Sequence, residues 1–142
     1  MKLFWLADED FPEGIEDRAG VYTVHARTET GEFQQLPRLL GCDPKGILFI
    51  GQSVGVRRRV RTFKRAATIR GWRRKVPHSE GRTYRWIPAL QERFPIERLY
   101  VSVHYTDTPE VEESRRLRDY AFQFGEPPPL NLSVGQGSGR GR

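Results

Sequence analysis

Residues 46–67, GILFIGQSVGVRRRVRTFKRAA, constrain this chain more than any other stretch. A continuous apolar run at 47–50 passes through Gly51 and Gly55 into a segment crowded with arginine. The run reads as a strand covered on both faces, hence a central strand. After it, Val56, Val60, Phe63 and Ala67 recur at i, i+4, i+7 and i+11, the stripe of a helix with one narrow buried face. Arg58, Arg61 and Arg65 fall on the opposite side. Arg59 sits on the shoulder of the stripe, where a guanidinium can lie along the core edge and aim its fork at a cleft. A strand that hands over through glycines to a basic helix can present amides and cations to phosphate.

The charge distribution supports a polyanionic partner. The formal net charge is +6, yet Asp8, Glu9, Asp10, Glu13, Glu16 and Asp17 make the first 17 residues acidic. Between Arg57 and Lys75 there are ten Lys/Arg and no acid. A basic helix of this kind is either a solvated face or a nucleic-acid surface. The interleaved Phe63 and Trp72 favour the second, since aromatics stack on or wedge between bases. The candidate contacts are Gln52, Arg57, Arg58, Arg61, Lys64, Arg65, Arg70, Trp72, Arg73 and Arg74. No apolar run is long enough to span a membrane. The single cysteine, Cys42, excludes an internal disulfide, and with no signal-peptide pattern at the start the expected location is cytoplasmic.

The 142 residues suit one modest domain. Residues 1–19 read as an acidic lead-in holding a short edge strand or loop, and 132–142, rich in Gly and Ser, as a flexible tail. Residues 20–27 alternate in period two, Tyr22, Val24 and Ala26 against Val21, Thr23 and His25, which predicts a strand. Residues 33–40 extend the return of a hairpin, and 41–46 read as a turn. Residues 68–81 read as an irregular basic segment. Residues 84–94 predict a helix that Pro88 interrupts or starts and Pro95 stops. Residues 99–105 alternate as a third strand. Thr108, with Pro109 at the first position, opens a helix that Gly125 closes.

On that last helix Glu112 groups with Asp119 and Gln123 on the wet side. Glu113 groups with Leu117, Tyr120 and Phe124 on the apolar side. A carboxylate there must be paired, protonated or bound to metal. Two assignments remain open for it: an arginine partner, or a hard divalent cation.

Taken in order, Gly20-Val21-Tyr22, Phe49-Ile50-Gly51, Arg59, Glu113 and Asn131 resemble the GIY-YIG nuclease family, most of all the catalytic domain of bacterial excision-repair nucleases that incise 3′ to a lesion. The resemblance covers residues 20–131. It implies a small α+β domain with a three-stranded, mainly antiparallel central sheet flanked by helices. It also implies a metal-dependent DNA endonuclease with Mg²⁺ or Mn²⁺ on Glu113 and Arg59 stabilising the phosphoryl transition state. Tyr22 matches the tyrosine of the first triplet and Asn131 the supporting asparagine. His78 matches a histidine of some restriction enzymes, or is an ordinary loop residue.

The chain departs from the family pattern in one pocket. Phe49 stands where the second triplet has tyrosine, Gln52 where a lysine often follows, and Phe63 where the repair enzymes carry another tyrosine. The gap between the triplets is also long. Three readings stay open: an endonuclease in which Tyr22, His78 or metal-bound hydroxide handles the water, a catalytically degenerate module binding DNA or RNA, and a protein-interaction domain.

Overall fold

The computed structural model describes residues 1–68 and 79–131. The two residues of β1 (Phe4–Trp5) are followed by β2 (Gly20–Ala26), the small strands β3 (Leu36–Arg38) and β4 (Gly41–Asp43), and β5 (Ile47–Ser53). Helix α1 (Val56–Thr68) comes next, then α2 (Ser79–Trp86), α3 (Pro88–Arg93), a 3-10 turn at Ile96–Arg98, β6 (Leu99–Tyr105) and α4 (Pro109–Phe124). The class is α+β. The main sheet has four strands rather than three, in the order β1-β6-β2-β5, with every neighbour antiparallel. The fourth strand is β1, which adds to the β6 edge.

The apolar run expected to be central is at the sheet edge. β5 pairs only with β2 in the sheet, and the centre belongs to β2, whose seven residues are all buried. The run is apolar because both faces of β5 are covered. Phe49 packs with Val56, Val60 and Phe63 on one side, and Ile50 packs with Val21 and Leu117 on the other. Part of the outer edge is covered by the segment after α4, where Leu130 N donates to Leu48 O at 2.9 Å. The chain thus takes up part of this strand edge itself.

Helix α1 buries Val56, Val60, Phe63 and Ala67 as its stripe requires, and Ala66 with them. It lies on the face of β2 that carries Tyr22 and Val24, whereas α4 lies on the face that carries Val21. Residues 1–19 belong to the same packing: Leu6, Phe11 and Ile15 are buried in the α1-side core. Asp17 Oδ1 accepts a long bond from Arg58 N at 3.4 Å, placing a carboxylate at the positive end of α1.

Elsewhere the turns differ in detail from the sequence reading. Phe33 bridges Arg27, but the chain then leaves to form the separate β3-β4 hairpin, so 41–43 is a strand and the turn is confined to 44–46. Asp43 explains this, since its carboxylate accepts from Lys45 N at 2.8 Å and Ile47 N at 2.9 Å and closes the turn itself. Pro88 does split the second helical stretch, occupying the first turn of α3. The expected irregular segment 68–81 overlaps helix at both ends; residues 69–78 lie outside the described residues, as does the 132–142 tail. Thr108 occupies the N-cap position of α4, although its side chain makes no cap bond, and Gly125 closes the helix at φ 79°.

His25 is 2% exposed on the α4 face. Its Nδ1 lies 2.9 Å from Lys45 O and its Nε2 2.9 Å from Ser102 Oγ. A carbonyl only accepts, so Nδ1 carries the proton and Ser102 donates to Nε2. Burial lowers the pKa of His25 below 6.5, against the opposing pull of the Lys45 carbonyl and Asp43. The unfolded chain therefore takes up this proton first. The stability is complete above the unfolded value and is lost as pH falls through the folded one. Thermal melts between pH 7.5 and pH 5 should show a falling midpoint in the parent (pH range ~ the histidine titration window). The fall should be shallower in His25→Asn, which keeps a donor for Lys45 O. Equal slopes would assign the acid sensitivity to other groups.

Candidate functional site

The antiparallel register of β2 on β5 pairs Tyr22 with Gly51, so the last residue of 20–22 faces the last residue of 49–51 and the two triplets meet at that one pair. Gly51 is required there. A Cβ at that position would stand 2.6 Å from Tyr22 Cζ and 2.7 Å from its hydroxyl, so the phenol ring crosses the bare backbone of Gly51. Gly20 is equally constrained, since a Cβ would meet His104 O at 2.6 Å. Both glycines of the triplets thus have a packing reason in the sheet.

Tyr22 is 1% exposed. Phe49 is packed between Tyr22, at 5.8 Å between ring centroids, and Phe63, at 6.2 Å and nearly parallel. The three rings form a layer beneath α1, and aromatic pairs at these distances are favourable beyond the area they bury. With phenylalanine at 49 and 63, the Tyr22 hydroxyl is the one polar atom on these three side chains.

Asn131 uses its side chain as a piece of strand. Its Oδ1 accepts from Ile50 N at 3.0 Å and its Nδ2 donates to Ile50 O at 2.9 Å. The amide thus pairs both backbone groups of Ile50, between Phe49 and Gly51.

Strands β5 and β6 both run to the same end of the sheet, because Gly20 faces Ser53 on one side and Tyr105 on the other. Helices α1 and α4 start from that end, over opposite faces. Arg59 is exposed in the first turn and a half of α1. Glu113 is half-buried on α4, one turn before the buried Leu117. Gln52 is half-buried beside Val21 at the end of β5.

The pairing of Glu112 differs from the sequence reading. Instead of lying on a wet side, its side chain is 18% exposed and is held by Arg115 and Arg116 at 2.7 and 2.8 Å. Hydrogen bonds from Arg115, then from Arg116, lower its pKa to about 2. The two arginines fold back along the helix at i+3 and i+4, a geometry that draws the carboxylate off the solvent.

The basic helix divides into two sets. Arg57 is paired with Glu13 at 2.7 Å, and Lys64 donates to Asp8 O at 2.8 Å while sitting over the Phe11 ring. These two cations hold the N-terminal segment, which the sequence reading had not connected to them, although the opposite charges of the two segments were its signal. Arg58, Arg61 and Arg65 are exposed along with Arg59. His78, Arg70, Trp72, Arg73 and Arg74 lie outside the described residues. No group of three or more His, Cys, Asp or Glu that could hold a metal occurs among the described residues, and no described helix is long and apolar enough to cross a membrane. No family model, curated protein or solved structure matches the chain.

Proposed function

We propose that the protein hydrolyses phosphodiester bonds in DNA with a divalent cation, Mg²⁺ or Mn²⁺, on Glu113. The observation that carries this reading is the Tyr22–Gly51 pairing, with α1 and α4 leaving the same end of the sheet. Arg59 lies in the opening turns of α1 and Glu113 in those of α4, and on this reading the two side chains meet a phosphate beside the last residues of β5. Mg²⁺ keeps several waters and takes one or two protein carboxylates together with phosphate oxygens, a donor set that a single half-buried glutamate fits. When bound, such an ion polarises the phosphoryl oxygen and lowers the pKa of coordinated water. Arg59, exposed beside this end, neutralises the charge that builds on the phosphoryl group. Asn131 holds the Phe49–Gly51 backbone in place.

Plasmid nicking with Mg²⁺ or Mn²⁺ tests the reading. The parent chain nicks, and Glu113→Ala lowers the rate about a hundredfold or more, the scale of losing a principal transition-state contact. Undiminished nicking by Glu113→Ala would remove the proposal.

A second reading, binding of DNA or RNA without cleavage, is favoured by the Tyr22-Phe49-Phe63 layer. Its one phenol is 1% exposed and its other two rings can accept no proton. In that case the parent shows salt-dependent affinity and no metal-dependent nicking.

A further inference from the structure

On the face of the sheet away from α1, a cleft of about 270 Å³ opens between the 44–45 turn and α4. It is slightly smaller than the roughly 300–1,000 Å³ of pockets that take drug-sized ligands, so it has room for one ring system and a short polar extension. Its apolar surface comes from Ile50 and Ile47 on the sheet and from Tyr120 on the helix. Thr23 also lines it, and this residue is 4% exposed while its hydroxyl makes no hydrogen bond among the described residues. A hydroxyl without a protein partner that opens on a cleft is a place where a ligand can exchange a hydrogen bond with water for one of its own.

The lining carries both signs of charge, Lys45 and Arg116 with Asp43 and Asp119. Lys45 is exposed there, and Arg116 lines the cleft with its Nε fixed on Glu112 Oε1 at 2.8 Å. That bond orients the guanidinium, and its Nη groups make no hydrogen bond among the described residues. The acids at the cleft are already engaged: Asp119 by Arg115 at 2.9 Å, and Asp43 by its own turn and by Tyr120. An apolar slot with one unpartnered hydroxyl inside and two cations at its rim suits a flat ring that carries an anionic group.

We propose that this cleft binds a single nucleotide, with its ring against Ile50 and Tyr120, a ring-edge polar atom on Thr23, and its phosphate on Lys45 and Arg116. The site involves neither Glu113 nor Arg59 and stands apart from the hydrolytic reading.

The test uses the full chain in EDTA, with 5′-AMP, adenosine and inorganic phosphate as probes, read by calorimetry and amide chemical shifts. AMP should bind at least about tenfold more tightly than adenosine or phosphate, since ring and phosphate contacts are made together. Its shifts should map to residues of β5, the 44–45 turn and α4. Thr23→Val, nearly the same shape, should weaken AMP about fivefold, the worth of one neutral hydrogen bond. Lys45→Gln, at an exposed position that leaves folding intact, should weaken AMP and leave adenosine unchanged. AMP binding no tighter than phosphate, shifts confined to α1, or Thr23→Val and Lys45→Gln both matching the parent would overturn the proposal. Without divalent metal or strand cleavage in the assay, its failure leaves the hydrolytic reading untouched, and failure of plasmid nicking leaves this one untouched.

Discussion

Asp43→Ala should unfold about 3 kcal/mol more easily than the parent chain in urea titration, the cost of stripping a buried anionic acceptor from several donors. Asp43 is 1% exposed. Its Oδ1 takes Lys45 N, and its Oδ2 takes both Ile47 N and the Tyr120 hydroxyl, the last at 3.0 Å. One carboxylate therefore fixes the turn after β4, the first residue of β5 and the C-terminal half of α4. Alanine leaves three donors to compete for water that reaches them poorly. Burial, then the charge of Asp43, raises the pKa of the Tyr120 phenol, so it stays protonated and donates. Two further variants apportion the effect. Tyr120→Phe removes one donor and should cost about 1 kcal/mol. Asp43→Asn keeps one acceptor oxygen and should fall between the two. An Asp43→Ala chain within 1 kcal/mol of the parent would show that the carboxylate closes nothing (a threshold of ~1 kcal/mol, the worth of one ordinary bond).

Asp43 also shows where the sequence could be read and where it could not. In the string Gly41-Cys42-Asp43-Pro44-Lys45-Gly46 every residue is at home in a turn, and nothing local distinguishes an aspartate that serves one turn from one that reaches a helix 77 residues on. Periodicity carried the elements that bury a face: β2, β6, α1 and α4 all form where their apolar spacing puts them. It failed on lateral order. An apolar run records that both faces of β5 are covered, whereas part of its edge is covered by the Asn131 side chain and Leu130 N, a contact no pattern encodes. Among the candidate site residues, motif order singles out Tyr22 and Asn131 but contains neither the pairing of Tyr22 with Gly51 nor the bonds of Asn131 to Ile50. The division of the arginines was not, because it depends on how the acidic N-terminal segment lies across α1.

That division sets the largest functional contrast. Under the hydrolytic reading Arg59→Ala should lower kcat/KM about 10²- to 10³-fold, with the loss in kcat, because the contact strengthens only as charge builds in the transition state. Arg65→Ala, exposed in the last turn of α1, should act on binding alone. Its KM rises, its kcat holds, and the slope of log affinity against log salt falls by about one phosphate contact. Arg57→Ala should give a third pattern, since its guanidinium is spent on Glu13 in a largely exposed pair. Its stability should change by about 1 kcal/mol or less, and its salt slope hardly at all. Three neighbouring arginines of one helix thus separate into kcat, KM and neither. If Arg59→Ala and Arg65→Ala alter only KM and do so equally, Arg59 is one more phosphate contact on a basic helix, and the case for transition-state stabilisation at this end of the sheet is lost.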